Sequence, residues 1–228
     1  MKQTKIFVVL PAKDEASRIG DVLKETLALG YTNIVVVNDG SADNTAEVAE
    51  NHGVNVINHA INLGAGAATQ TGIEYAVSQG ADIIVTLDAD RQHYPGDIDK
   101  LVQKILHTDA DLVIGSRFLN KENKIPSIRI FYNRIGNHIT HIFTGLKISD
   151  SQSGMKAMKA DFVNHTKINS TGYEFCIEII RNAKKYKATI AEVPIRVSYS
   201  KESMEKGQSF VNGVKTVFNL FKLVNRLG

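Results

Sequence analysis

Short apolar runs alternate with amphipathic segments through the first half of the chain. The runs occupy residues 6–10, 34–37, 54–57, 83–87 and 112–114. Runs of this length are typical of strands that helices cover on both faces of a sheet. Between the runs, apolar residues recur at steps of three and four, as at Ile19, Val22 and Leu23, and this spacing indicates helices. Repeated strand–helix units predict an α/β fold with a mostly parallel, doubly wound sheet.

The second half of the chain has a less regular pattern. Helical spacing predicts helices over residues 128–143 and 173–186, and residues 189–197 form a further predicted strand. Pro194 interrupts that strand. Because proline cannot donate a backbone hydrogen bond, we expect the strand at an edge of the sheet. An amphipathic helix is predicted for residues 210–227.

The composition of the chain narrows its class. Hydrophobic residues make up 43% of the 228 residues and charged residues 22%, which is ordinary for a globular protein. A net charge of +3 does not indicate a nucleic-acid partner. No apolar run reaches the roughly 18 residues of a membrane span, and the first run is too short for a signal peptide. A single cysteine, Cys176, excludes an internal disulfide. We therefore expect a cytoplasmic protein with no nucleic-acid partner.

Polar residues follow four of the predicted strands. Asp88 and Asp90 come directly after the fourth run, with Gln92 two positions further on. Ligands of open parallel sheets bind beyond the carboxyl ends of the strands. Mg²⁺ favours one or two carboxylates, with phosphate oxygens and water completing its shell. An Asp-x-Asp turn also occurs on surfaces that bind nothing, but its place beside three other polar strand ends favours a metal site.

A glycine-containing segment, residues 62–68, opens a helix after the third run. Its backbone N–H groups could bind phosphate at the start of that helix. Its glycines could instead allow helix and sheet to approach closely. Thr69 occupies the third glycine position of the dinucleotide fingerprint, so the segment is not that motif.

Several motifs, in consistent order, resemble those of the family-2 glycosyltransferases. The matching segments are residues 11–15, 37–45, 62–64, 88–93, 115–117, 150–156 and 192–195. The closest branch is similar to the polyprenyl-phosphate sugar synthases, such as dolichyl-phosphate mannose or glucose synthase. The resemblance implies the GT-A fold of nucleotide-diphospho-sugar transferases and inverting transfer of a hexose. It also implies GDP-mannose or UDP-glucose as donor, and Mg²⁺ or Mn²⁺ as cofactor.

The resemblance also implies roles for individual residues. Those that would hold the base and ribose of the donor are Pro11, Lys13, Glu15, Val37 and Asp39. Those that would line the donor site are Asp88, Ala89 and Asp90, and the metal ligands would be Asp88, Asp90 and Gln92. Those that would face the acceptor are Arg117, Arg129 and Arg196. The implied catalytic set comprises Asp88, Asp90, Arg117 and Asp150.

Two classes of acceptor differ in what they need from the protein. A phosphate monoester is largely ionised near neutral pH and needs cations to hold it. A hydroxyl needs a general base, and Asp150 is the best candidate for one. The basic residues of the second half favour a polyprenyl phosphate; they are Arg117, Arg129, Arg134, Lys156 and Arg196. A saccharide or lipid hydroxyl acceptor is the alternative.

Two other functions compete with glycosyl transfer. A non-enzymatic nucleotide-sugar-binding protein would need no metal ligands. A sugar-nucleotide pyrophosphorylase would need a glycine-rich, basic turn after the first strand, and residues 11–15 are not such a turn. The resemblance therefore favours the transferase.

We expect a single glycosyltransferase domain over residues 1–228. Residues 1–117 form its predicted nucleotide-sugar-binding half and residues 118–208 its acceptor-binding half. Residues 209–228 contain the predicted amphipathic helix, which could lie on a membrane surface or pack on the domain or on a second copy. Peripheral contact with the cytoplasmic face of a membrane, and a homo-oligomer, both remain open.

Overall fold

The computed structural model describes residues 4–199, whose strands form one seven-stranded sheet. The strands are β1 (Ile6–Ala12), β2 (Ile34–Asn38), β3 (Asn55–Asn58), β4 (Ile83–Thr86), β5 (Leu112–Ser116), β6 (Lys156–Lys159) and β7 (Ile190–Pro194). The helices are α1 (Ala16–Ala28), α2 (Thr45–Glu50), α3 (Ala65–Ser78), α4 (Ile98–Leu106), α5 (Ser127–Thr144), α6 (Ala160–Asn164) and α7 (Phe175–Lys185). The strand order is β3-β2-β1-β4-β6-β5-β7.

The sheet is mostly parallel and doubly wound, as predicted. Neighbouring strands run parallel except at β6, which is antiparallel to both β4 and β5. Alternate residues of each buried strand face opposite layers. Val8 packs with Leu23 of α1 and Leu101 of α4, whereas Val9 packs with Ile73 of α3 on the other face. Each such burial stabilises the fold by about 1.5–3 kcal/mol.

The sequence analysis did not predict strand β6. Its four residues are Lys-Ala-Met-Lys, so no apolar run marks it. Lys156 is nevertheless fully buried, and its ammonium group donates to the backbone carbonyl of Ser153. Strand β6 lies between β4 and β5 and is antiparallel to both. The carboxyl ends of β4 and β5 therefore lie on either side of the segment that precedes β6.

The predicted elements otherwise agree with the structure within a few residues. Helices α5 and α7 confirm the two helices predicted in the second half. Strand β7 lies at an edge of the sheet, as expected, but it ends at Pro194 and does not continue to residue 197. The predicted helix over residues 210–227 lies outside the described residues. Within residues 4–199, no helix combines the length and apolar character needed to cross a membrane.

Candidate active site

A cleft of about 570 Å³ opens at the carboxyl ends of β1, β2, β4 and β5. Most of the residues singled out in the sequence line this cleft. They are Pro11, Lys13, Glu15, Asp39, Asp88, Ala89, Asp90, Gln92, Arg117 and Arg129. Parallel topology explains the convergence, since the carboxyl ends of these strands share one edge of the sheet.

Asp88 lies at the floor of the cleft against a glycine. A Cβ atom added to Gly154 would overlap the Asp88 carboxylate, so this side-chain position requires glycine at 154. Thr86 Oγ1 donates to the Gly154 carbonyl at 2.6 Å and fixes that glycine. His93 Nδ1 lies 3.3 Å from Asp88 Oδ2, where it can orient the carboxylate. Burial opposes ionisation of Asp88, but His93, Lys156 and Arg117 outweigh it and lower the pKa of the carboxyl.

Asp90 has the opposite electrostatic setting. Burial and the neighbouring Asp88 raise the pKa of its carboxyl. Its oxygens accept hydrogen bonds from the backbone N–H of Gln92 at 2.9 Å and from Gln92 Nε2 at 2.7 Å. Two close carboxylates that repel each other, beside a side-chain amide, fit the oxygen chemistry of Mg²⁺ or Mn²⁺. Among residues 4–199 no group of three or more His, Cys, Asp or Glu converges, so substrate and water oxygens would complete such a site.

Asp39 both lines the cleft and anchors the loop before α3. Its carboxylate accepts hydrogen bonds from the N–H groups of Leu63 and Gly64, each at 2.8 Å. His59 Nδ1 lies 2.8 Å from the same carboxylate, and His59 Nε2 lies 3.1 Å from Thr71 Oγ1. Asp39 is almost fully buried, so this network holds it in place at the end of β2.

The glycines at the start of α3 serve close packing. Added Cβ atoms at Gly64 and Gly66 would overlap the carbonyl oxygens of Thr171 and Ser170. The N–H of Gly66 donates to the Thr171 carbonyl at 2.8 Å. Because the loop at residues 170–172 packs on the first turn of α3, close packing explains these glycines better than phosphate binding does.

The segment after β1 adds an unpredicted cation to the cleft. Arg18 Nε lies 2.8 Å from Glu15 Oε2, and both side chains are largely buried. The positive charge of Arg18 also favours ionisation of Asp90. Lys13 Nζ donates to the Gly40 carbonyl at 3.2 Å and lies 3.1 Å from Asp14. Arg18 could have been suspected from its position, because a residue three after Glu15 in a first helical turn shares its face.

Arg117 is fixed to the protein by Asp150. Arg117 donates to the Asp150 carboxylate from Nε at 2.7 Å, from Nη2 at 2.6 Å and from its backbone N–H at 2.9 Å. Asn133 Nδ2 donates to the same carboxylate at 2.7 Å. Burial opposes ionisation of Asp150, but the charge and hydrogen bonds of Arg117 prevail and lower the pKa of the carboxyl. Asp150 is completely buried and is not part of the cleft lining, so its geometry suits positioning of Arg117 rather than proton removal.

Four further residues from the sequence analysis, Val37, Arg134, Lys156 and Arg196, are not part of the cleft lining. Arg134 is exposed on α5. Val37 is fully buried inside β2. Lys156 lies inside the sheet, so the structure does not offer it to an acceptor. Arg196 donates to Asp97, which holds its guanidinium outside the cleft.

The sequence analysis also missed six residues that line the cleft. They are Tyr132, Asn133, Gln152, Gly154, Tyr173 and Tyr199. Gln152 and Gly154 belong to the matched segment 150–156, which could have drawn attention to them. No pattern marks the tyrosines, because only the tertiary fold brings them to the cleft.

Comparison with known proteins identifies the family. The sequence profile described as Glycosyl transferase family 2 matches residues 7–166. The UDP-N-acetylglucosamine–dolichyl-phosphate N-acetylglucosaminyltransferase of Methanococcus voltae is 35% identical, over 98% of this chain and 97% of that protein. The undecaprenyl-phosphate mannosyltransferase of Micrococcus luteus is 28% identical, over 84% of this chain and 82% of that protein.

A solved structure shares the fold. Glucosyl-3-phosphoglycerate synthase of Mycobacterium tuberculosis, in complex with Mn²⁺, UDP and glucosyl-3-phosphoglycerate, superposes with a TM-score of 0.72 at 20% identity. The match covers 95% of this chain and 80% of that chain. It confirms the expected GT-A fold. With the profile match and the order of motifs around the cleft, the chain belongs to glycosyl transferase family 2.

Proposed function

We propose that this protein transfers a sugar from a nucleotide-diphosphate sugar to a polyprenyl phosphate. The two relatives above are named for dolichyl phosphate and undecaprenyl phosphate. The cleft supports the same acceptor class for this chain, because it combines a carboxylate end with a guanidinium end. Asp88 and Asp90 belong to the first, and Arg117 and Arg129 to the second.

The observation that carries the proposal is the pairing of Arg117 with Asp150. A hydroxyl acceptor would need a free base beside it. Asp150, the best candidate, is buried and receives four hydrogen bonds from Arg117 and Asn133. No histidine lines the described part of the cleft. A guanidinium held rigidly by a carboxylate suits a phosphate, which needs charge and no base.

The donor end would hold the nucleotide and its diphosphate. Pro11, Lys13, Glu15 and Asp39 would surround the base and ribose. Asp88, Asp90 and Gln92 would hold Mg²⁺ or Mn²⁺, and a bound divalent cation would neutralise charge on the departing diphosphate. The related solved structure is described as binding Mn²⁺ and UDP, which supports this assignment.

The proposed reaction is a single displacement. An oxygen of the polyprenyl phosphate attacks the anomeric carbon and forms a new C–O bond. The bond from that carbon to the diphosphate oxygen breaks, and the nucleoside diphosphate leaves with the electron pair. Arg117 and Arg129 would orient the attacking phosphate, and the configuration at the anomeric carbon would invert.

The donor is the part of the proposal that most needs a direct screen. GDP-mannose and UDP-glucose are the leading donors from the family resemblance. The name of the Methanococcus voltae relative adds UDP-N-acetylglucosamine. A thermal-shift screen of GDP and UDP with Mn²⁺ would select the base, since ligand at 100 times Kd stabilises a protein by about 2.7 kcal/mol.

Transfer is then tested with the selected radiolabelled donor and a short-chain polyprenyl phosphate. We expect the label to appear in the lipid fraction, and mild acid should release it from the lipid as free sugar. Arg117→Ala should lose most acceptor use, because a lost charged hydrogen bond costs about 1.5–3 kcal/mol. Lys121→Ala, an exposed cation near Arg117 in the chain, is the matched control and should behave as wild type. Donor binding without transfer from any sugar would instead support a non-enzymatic binding protein.

A further inference from the structure

Strand β7 carries a glutamate on a face that otherwise packs against apolar residues. Ile190 and Glu192 are two positions apart, so their side chains leave the same face of the strand. Ile190 packs against the apolar cluster around Leu112. Glu192 instead binds the segment at residues 145–155, which joins α5 to β6. It belongs to the matched segment 192–195 but does not line the cleft, so its role must lie in what it holds.

The Glu192 carboxylate accepts hydrogen bonds from the backbone of the joining segment. The N–H of Ser149 donates to Oε1 at 3.0 Å and to Oε2 at 3.1 Å, and the N–H of Asp150 donates to Oε1 at 3.3 Å. Ser149 Oγ donates to Oε1 at 2.7 Å. Ser149 and Asp150 belong to no helix or strand, so the carboxylate replaces the partners that regular structure would supply. Glu192 therefore fixes the backbone at Asp150.

The same network reaches the residue before Arg117. Ser116 Oγ and Ser149 Oγ lie 2.6 Å apart. A hydroxyl has one proton, and Ser149 donates its own to Glu192, so the proton between the two serines comes from Ser116. Ser116 and Ser149 immediately precede the two members of the ion pair between Arg117 and Asp150. One carboxylate thus holds the chain beside both members.

The placement of Asp150 determines the placement of the Arg117 guanidinium. Three of the hydrogen bonds to the Asp150 carboxylate come from Arg117, which lines the cleft. A shift of the backbone at Asp150 would move the carboxylate and the guanidinium together. A misplacement of about 1 Å can lower a reaction rate by about a hundredfold.

We infer that Glu192 is a positioning residue that orders the Arg117 guanidinium through Ser149 and Asp150. Glu192 acts on the cleft from β7 and touches no substrate. The ordering of Arg117 follows from the contacts alone, whereas its consequence for acceptor use rests on the proposed function. The two parts therefore need separate measurements.

Hydrogen exchange of the Arg117 side chain tests the ordering. The full-length protein is prepared with ¹⁵N-labelled arginine, and the Nε–H signal of Arg117 is assigned by its absence in Arg117→Lys. In the wild type this group donates to the buried Asp150 carboxylate at 2.7 Å and should exchange slowly. Glu192→Gln is nearly isosteric, but its amide nitrogen cannot accept hydrogen bonds. We expect exchange about tenfold faster or more, because hydrogen bonds to a charged acceptor are lost.

Glu178→Gln is the matched control for this measurement. Glu178 is a buried carboxylate that accepts hydrogen bonds from the N–H groups of Asn169 at 3.0 Å and Ser170 at 2.8 Å. Those partners belong to the loop before α7, so the control should leave the Arg117 exchange rate unchanged. Ser149→Ala keeps the charge of Glu192 and removes the hydroxyl that joins it to Ser116. It should accelerate exchange less than Glu192→Gln, and it decides the question if Glu192→Gln does not fold.

Steady-state kinetics test the consequence for the acceptor. With a short-chain polyprenyl phosphate, Glu192→Gln should raise the KM for the acceptor by about tenfold. The thermal shift produced by GDP or UDP with Mn²⁺ should stay as in the wild type. Arg117→Ala removes the group through which Glu192 acts, so adding Glu192→Gln to it should cause no further loss of acceptor use.

The inference is overturned if Arg117 exchanges at the wild-type rate in both Glu192→Gln and Ser149→Ala. Equal acceleration by Glu178→Gln would also overturn it, because any loss of stability would then suffice. Losses of acceptor use that multiply in the double variant would place the effect of Glu192 elsewhere in the molecule. If the wild type transfers no sugar to a polyprenyl phosphate, the proposed function fails, and the exchange rates still decide whether Glu192 orders Arg117.

Discussion

At the residue scale, Gly154 decides where the Asp88 carboxylate lies. We predict that Gly154→Ala lowers kcat by about a hundredfold or more, because a displacement near 1 Å can have that effect. The added Cβ would overlap the Asp88 carboxylate, which must move. Gly20→Ala is the control, since its Cβ meets only the side chains of His52 at 3.3 Å and Val48 at 3.4 Å. Equal activity of the two variants would show that Asp88 tolerates the shift.

Asp90 provides the direct test of the metal assignment. Asp90→Asn is nearly isosteric and should leave the fold unchanged. We predict a loss of activity of about a hundredfold or more, because the charge of the leaving diphosphate would no longer be neutralised through this site. The control is Asp109→Asn, an exposed aspartate before β5. Near-normal turnover of Asp90→Asn, or full wild-type activity in excess chelator, would show that the reaction does not depend on a metal at this site.

Asp150 should make stability depend on pH in a defined direction. Its folded-state pKa is lowered, so its contribution is present above the unfolded pKa of about 3.9 and is lost as pH falls through the folded pKa. At pH 7 we expect Asp150→Asn to lose about 3–5 kcal/mol, because Arg117 keeps a buried charge without its partner. Urea unfolding at pH 7 and pH 3 should show the difference from wild type narrowing at the lower pH. A difference independent of pH would contradict the pairing.

The sequence predicted the lining of the cleft near Asp88 and Asp90 better than the contacts around Arg117. Asp88, Asp90 and Gln92 follow one strand, and parallel topology brings them to Lys13 and the other strand ends. The partners of Asp150 could not be predicted, because Arg117 and Asn133 reach it from β5 and α5 across the fold. A carboxylate in a motif does not show whether it faces a substrate or an arginine.

At the element scale, hydrophobic pattern predicted the strands with apolar runs and missed β6. A strand of Lys-Ala-Met-Lys has no such run, and Lys156 is buried because a backbone carbonyl receives its ammonium group. The sequence indicates that residues 62–68 open a helix, but it does not locate the start of α3 at Ala65. Gly64, with φ of +100°, precedes the helix, and spacing of apolar residues does not reveal that backbone turn.

The packing of the loop at residues 170–172 on α3 is also open to a test. Gly66→Ala would place a Cβ against the Ser170 carbonyl. We predict a loss of about 1–3 kcal/mol in the free energy of unfolding, as for overpacked sites. Gly96→Ala is the control, because its Cβ meets only the Arg196 side chain at 3.2 Å. If both variants unfold at the same urea concentration, the approach of the Ser170 carbonyl to α3 does not require glycine at position 66.

At the scale of the whole molecule, carboxylates are concentrated toward one end of the cleft. Carboxylates crowd the end near β1 and β4, and Arg117 lies at the end of β5. The buried positive charges of Lys156 and Arg117 favour ionisation of Asp88 and so couple the two ends. This arrangement suits a donor that leaves as a diphosphate and an acceptor that arrives as a phosphate.

The most direct measurement of that claim is a competition between two acceptors. The protein, Mn²⁺ and a radiolabelled nucleotide sugar are mixed with equal amounts of a polyprenyl phosphate and the matching polyprenol. The account predicts label only in an acid-labile glycosyl phosphate, with Arg117→Ala strongly impaired in forming it. Label in the acid-stable polyprenol glycoside, with Arg117→Ala still active and Asp150→Asn inactive, would contradict it and restore a hydroxyl acceptor with Asp150 as base.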